Sequence, residues 1–259
     1  MSAMGISVLM FVCVFGGALC GMLLHATLPK HHLSADSTDI VKLGTGLVAT
    51  MAALVLALLI ASAKSSYDTQ RSDLTQMAVN VVLLDRALAS YGSETHEARQ
   101  LLRRAVAHTL TQMWPEDRAQ RPQLAPTEQG LGGFISARTG GLYDTLQALT
   151  PHQEAQRALQ TEALSLTRTL GQTRWLMFEQ EGTSIPMPFL VVLIAWITLI
   201  FVSFGLLAPP NGTVITTLFV CALSVAGAIF LILELDQAFE GLIQIPSAPL
   251  RKALAQLGQ

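Results

Sequence analysis

Four stretches of this chain carry no Asp, Glu, Lys or Arg: Ile6 to Leu28, Leu43 to Ala63, Pro188 to Leu207 and Thr213 to Leu233. Each is about 20 residues long, and at roughly 1.5 Å per residue a helix of that length crosses a hydrocarbon core of about 30 Å. A single segment in lipid satisfies its backbone only as a helix. The sequence therefore predicts an all-α integral membrane protein with four transmembrane helices, and the lipid bilayer is its first partner. Composition agrees, because only 13% of the 259 residues are charged while 51% are hydrophobic, about half the charge of a soluble domain. Disorder requires the opposite balance. With a formal net charge of -2 the chain is not built to neutralise a run of phosphates, which excludes nucleic acid as a partner.

The first apolar run is expected to stay as a helix instead of being cleaved as a signal peptide. Met1-Ser2-Ala3-Met4 brings no positive charge, and the run exceeds the core of a signal sequence. Gly17-Ala18-Leu19 ahead of Cys20 does not fit a lipoprotein cleavage site. Residues 1–63 then form a first transmembrane hairpin and 188–235 a second, turning at Ala208-Pro209-Pro210-Asn211-Gly212. Residues 64–187 hold most of the charges and form a helical bundle inserted between the second and third spans, and 236–259 are a tail. On the side shared by the termini and this domain lie Lys64, Arg71, Arg168, Arg174, Arg251 and Lys252, against Lys30 and Lys42 on the other. The positive-inside rule places the termini and the bundle in the cytoplasm, with the spans in a cell inner membrane as a multi-pass protein.

Periodicity organises the inserted domain. Leu74, Met77, Val81, Leu84, Leu88 and Tyr91 recur at helical spacing, so the second span is expected to run on as one long helix to Gly92. A second helix follows Ser93, with Ala98, Leu101, Leu102, Ala105 and Met113 on its apolar side, and stops at Trp114-Pro115. Glu116 to Gly141 reads as a loop and Leu142 to Leu149 as a short helix. Thr150-Pro151-His152-Gln153 is a helix start: Thr150 caps, Pro151 needs no N–H and Gln153 completes a capping box. Leu159, Ala163, Leu166, Leu170 and Met177 line the helix that follows. Beyond Pro246 and Pro249, an amphipathic tail helix carries Leu250, Leu254 and Leu257.

Catalytic motifs are missing. There is no GxxxxGK[ST], GxSxG or HExxH, and Gly130-Leu131-Gly132-Gly133 follows no strand, so it reads as a turn. His96, His108 and His152 are scattered on amphipathic helices. Cys13, Cys20 and Cys221 all lie within spans, which leaves no disulfide framework or zinc site; Cys13 and Cys20, seven apart on one helix face, are expected to be small apolar packing residues. The chain is read as no enzyme, and no cofactor is implied.

Small residues inside the spans are more informative. Gly17 and Gly21 form a GxxxG in the first span; Ala49, Ala53, Ala57 and Ala61 repeat every four residues in the second; Ala222, Ser224, Ala226, Gly227 and Ala228 sit in the fourth. Such rows let helix backbones approach in lipid. They serve packing within one subunit or, beyond that, between subunits with the second span facing a shared axis. Polar atoms at membrane depth are few, with Thr45, Thr50 and Ser62 on the second span, and no charged residue is available for a proton relay. Thr45, Thr50, Ala53, Ala57 and Ser62 are the candidate pore-lining residues.

Three carboxylates, Glu234, Asp236 and Glu240, follow the last span. A carboxylate at the membrane centre costs roughly 2.5–3.5 kcal/mol, and less at the boundary. The three reach water at a solvated helix end, pair with a base such as Arg71 or Arg174, or hold a hard cation.

The run Leu233-Glu234-Leu235-Asp236-Gln237-Ala238-Phe239-Glu240-Gly241-Leu242-Ile243 and the second-span exit Ala63-Lys64-Ser65-Ser66-Tyr67-Asp68 resemble the bestrophin-like domain family, a functionally uncharacterised group of mainly bacterial membrane proteins. The family leaves its last span with an acidic-Leu-Asp, a Pro-Phe pair and a Gly; Phe239 and Gly241 match, and Ala238 stands in for the Pro. The likeness extends over nearly the whole chain. True bestrophins are pentameric anion channels whose second helix lines the pore and whose acidic segment after the fourth helix binds calcium. The resemblance thus implies a homo-oligomer passing small anions, with Glu234, Asp236 and Glu240 as cation or gating residues. The second span departs from true bestrophins in lacking an aromatic neck, and the acid run is sparser than their calcium site. The alternative is a non-conducting scaffold or sensor whose helical domain binds a cytosolic protein partner through the tail and the Glu116–Gly141 loop.

Overall fold

A computed structural model describes residues 3–27, 35–114, 141–179, 185, 187–239 and 241–258. Glu240, the segment 115–140 with Gly130 to Gly133, and the segment 28–34 with Lys30 lie outside them. The described residues are helical and contain no strand: α1 (Ala3–Thr27), α2 (Ala35–Tyr91), α3 (His96–Met113), α4 (Leu142–Gln147), α5 (Glu154–Glu179), α6 (Met187–Leu207), α7 (Gly212–Asp236) and α8 (Ala248–Gln256). Among them, α1, α2, α6 and α7 are long and apolar enough to cross a membrane.

The chain divides into two compact units. The first comprises 1–67 and 183–243, the second 68–182 and 244–259. Both expected hairpins thus belong to one unit. The last sixteen residues belong to the second unit.

In the first unit α1 packs against α6 and α7. Met10, Val14 and Ala18 of α1 are buried with Leu193, Ile197 and Phe201 of α6 and Ala222 and Ile229 of α7, and α2 adds Ala52, Leu59 and Ala63. Phe219 of α7 meets Phe11 and Phe15 of α1 edge to face, with ring centroids 5.4 Å apart in both pairs. Pro188 is tolerated in the first turn of α6, where its missing N–H has no acceptor. Pro209-Pro210 ends that helix, and Asn211 starts α7 by accepting the Val214 N–H at 2.9 Å. At the same end of the unit, His25 Nδ1 lies 2.7 Å from the Leu206 carbonyl oxygen. A carbonyl only accepts, so Nδ1 carries the proton.

Helix α2 extends for 57 residues because nothing interrupts it: it contains no proline, and it stops where Gly92 adopts φ +134°. The expected continuation of the second span to Gly92 is therefore what forms. A single 3-10 turn, Ser93–Thr95, leads into α3. There the fully buried Thr95 donates its hydroxyl to the Gly92 carbonyl at 2.8 Å.

The start of α5 differs from expectation. The helix begins at Glu154, and the free N–H groups of His152 and Gln153 are taken by the side chain of Gln156, at 2.9 and 3.3 Å. Thr150 and Gln153 do not form the box. A Gln three or four positions on reaches both donors at once. Gln160 ties α4 to α5 by donating to the carbonyls of Leu146 and Leu149 at 2.8 and 2.9 Å.

Helix α8 buries Leu250, Ala253 and Leu257, with Leu254 only partly covered, so its apolar side is turned by one position from the expected one. It packs against α3, and the buried Trp114 donates its indole N–H to the Ile245 carbonyl at 2.9 Å. Beyond α8 the Gly258 N–H reaches Asp85 Oδ2 at 3.3 Å. Asp85 also accepts Nε and Nη2 of Arg99 at 2.7 and 2.9 Å, a bidentate pair linking α2 to α3. Burial alone would raise the Asp85 carboxyl. The hydrogen bonds from Arg99 and Gly258 and the guanidinium charge outweigh it and hold the group below its ordinary value. The tail offered as a partner-binding surface thus spends its apolar side inside the unit.

Candidate functional site

Within the first unit, helix α2 keeps one side packed and the opposite side open. At 100° per residue its buried residues there, Ala52, Leu59 and Ala63, share one side. Roughly opposite lie Leu47, Leu54 and Leu58, which are 64%, 72% and 64% exposed. The same side continues through Ala61, Ser65, Asp68 and Ser72 to Val79 and Leu83, all exposed. Of the apolar stretch of α2, 17% is buried, against 39–44% for the stretches of α1, α6 and α7.

The candidate pore-lining residues divide on this geometry. Thr50 lies on the open side, with its hydroxyl returned to the Leu47 carbonyl at 2.8 Å. Ala57 is exposed beside it, and Ala53 and Ser62 are exposed on the two flanks. Thr45 is the exception: it is half-buried and falls on the packed side, seven residues from Ala52 and eighteen from Ala63. Spacing alone did not separate it, because a polar residue inside an apolar run signals depth and not azimuth.

Small residues also divide. Gly17 and Gly21 face α6, and Gly205 of α6 answers them. A Cβ added at Gly21 would overlap the Val202 carbonyl, and one at Gly205 would overlap the Ala18 carbonyl. This reciprocal contact of backbones is what a GxxxG permits. Its second half, Phe204-Gly205-Leu206, was legible only as a lone Gly in an apolar run. On α7, Ala222 and Ala226 are buried while Ser224 and Gly227 face outward. On α2, Ala49 is half-buried, and Ala53, Ala57 and Ala61 are exposed. Cys13 and Cys20, expected as packing residues, are exposed as well, and so is Cys221.

The acidic exit of α7 is a folded feature. Glu234 and Asp236 are buried, at 6% and 8% exposure. Glu234 reaches past the end of its own helix to accept the Leu242 N–H. Gly241 has φ +87°, and a Cβ there would collide with the Glu234 carboxylate. The Gly therefore supplies both a left-handed turn and the room for a carboxylate to hold the loop. Among the described residues no group of three or more His, Cys, Asp or Glu is arranged to hold a metal ion. Glu240, the third acid of the expected set, lies outside them. Arg174, one of the expected basic partners, donates to Thr109 Oγ1 and, at 3.0 Å, to Gln112 Oε1.

In comparison with known proteins, a family model described as the Bestrophin-like domain matches residues 12–250. No curated protein and no solved structure matches the chain.

Proposed function

Since the chain belongs to the Bestrophin-like domain family, we propose that copies of it assemble in a cell inner membrane with the open side of α2 turned to a shared axis, and that the assembly passes small ions, anions by the resemblance. Both termini and the second unit then lie in the cytoplasm, as the excess of Lys and Arg on their side implies. The observation that carries this reading is the open side of α2. From Leu47 to Ala61 that side is uncharged, carries small residues and is left uncovered in a unit whose other three spans bury more than twice as much. Thr50, Ala57, Ala53 and Ser62 are the residues that would line or flank the path, and Thr45 drops out. Glu234, Asp236 and Glu240 enter as the regulatory end. A cation drawn to them competes with the Leu242 N–H for the Glu234 carboxylate and so loosens the loop.

Purified protein in liposomes should show an ion flux that Thr50→Trp or Ala57→Trp blocks. No flux across several anions and cations would overturn the proposal. A non-conducting scaffold is the rival reading. It draws on Trp175 and Leu176 of α5, 63% and 54% exposed, as a contact surface for a protein partner.

A further inference from the structure

Leu242 is 80% exposed, and no other large hydrophobic side chain among the described residues is more so. Leu43 and Leu54, at 76% and 72%, lie inside a span, where exposure on a single subunit is ordinary. Leu242 lies in the loop after one. Two contacts fix it there: Gly241 turns the chain at φ +87°, and the Glu234 carboxylate, eight residues back, accepts the Leu242 N–H. The loop to Ile243, the carboxylate and the end of α7 all belong to the first unit.

That hydrogen bond also sets a depth. The charge-free run of α7, Thr213 to Leu233, measures about 31 Å at 1.5 Å per residue and matches a hydrocarbon core of about 30 Å. Glu234 therefore stands at the edge of the core. Eight extended residues could carry Leu242 about 26 Å from there, but the contact keeps its backbone within reach of one glutamate side chain. The headgroup layer is about 5–8 Å deep, so Leu242 does not leave it. The surface that leads up to the loop is apolar as well. Leu231 on α7, and Met187 and Phe189 at the same end of α6, are 52%, 56% and 51% exposed.

We infer that the Leu242 side chain is inserted at the boundary between headgroups and acyl chains, so that the acidic exit of α7 is docked on the lipid surface. Depth selects the occupant, because an apolar side chain in that layer gains by burial among acyl chains. The loop is then held from two sides, its backbone by Glu234 and its tip by lipid. Lipid around Leu242 also keeps water from its N–H, and a hydrogen bond in such surroundings is stronger than one in water. None of this depends on whether the assembly conducts.

The test uses full-length protein in bilayers of phosphatidylethanolamine and phosphatidylglycerol, with Cys13, Cys20 and Cys221 changed to Ser. A nitroxide is attached through Leu242→Cys or, as a water reference, through Ala89→Cys, an exposed position about 39 Å of helix beyond Ala63. Collisions with oxygen, which concentrates in lipid, are compared with collisions with a water-soluble nickel chelate. The oxygen-to-nickel ratio at Leu242 should exceed that at Ala89 at least threefold. Equal ratios would put Leu242 in water and overturn the inference. A label screened from both reagents would mean that protein covers Leu242, from a second copy or another partner, and would overturn it too. Adding Glu234→Ala to the Leu242→Cys protein tests what sets the depth. With its helical signal retained, the ratio should fall at least twofold toward that of Ala89, and an unchanged ratio would overturn the part assigned to Glu234.

Discussion

The seam between α1 and α6 and the open side of α2 are built from the same kind of residue and do opposite things. At the seam, Gly21 and Gly205 bring two backbones so close that neither position has room for a methyl group. On α2, Ala53, Ala57 and Ala61 repeat at the same spacing, yet they are exposed, and Gly44 and Gly46 on the same helix have open space where a side chain would go. A row of small residues marks a surface able to accept a close neighbour. Whether that neighbour comes from the same subunit is decided elsewhere.

The sharpest way to break the comparison is to fill each row. Gly205→Leu sets a side chain against the Ala18 backbone, which has no rotamer to yield. It should cost more than about 4 kcal/mol, read as loss of monodisperse protein and of its thermal transition. Recovery of stable protein would show that the seam is looser than described. Asp85→Ala probes the packed side of α2 in the second unit. It removes three charge-assisted hydrogen bonds, two from Arg99 and one from the Gly258 N–H, and strands Arg99, for about 2–3 kcal/mol, and limited proteolysis should then cut residues 244–258 first.

A pH titration tests the same contact more gently. The folded carboxyl of Asp85 is held below its ordinary value, so its contribution is complete above the unfolded carboxylate range near about pH 4. It is lost as pH falls through the lower folded value. Stability measured below about pH 4 should therefore decline more steeply in the wild type than in Asp85→Asn; parallel curves would remove Asp85 from the account. The smallest effect belongs to the open side. Ala57→Leu should change subunit stability by no more than about 0.5 kcal/mol while altering assembly. A large loss of subunit stability would mean that the row is packed after all.

Much of this was readable along the chain. Helix α2 ends at Tyr91, one residue before Gly92, because an apolar repeat without proline runs on until a residue that permits φ +134° stops it. Trp114-Pro115 closes α3 for an equally local reason, since a residue before proline avoids helical backbone. The helix start at Thr150 was misplaced because two side chains compete for the same donors, and the winner, Gln156, was settled by reach. The Glu234 to Leu242 contact was hidden for a related reason. The sequence shows three nearby acids, but not that one of them folds back onto its own loop.

Charge-free length and periodicity belong to single segments, so four apolar helices and a long helical extension of the second were determined by the sequence alone. Azimuth does not belong to a segment. Thr45 and Thr50 look alike in the chain and lie on different sides of α2; Gly21 is packed and Ala57 is open. Only the tertiary structure decides such differences, because the side of a helix that is buried is fixed by the neighbours it meets, and those come from distant parts of the chain.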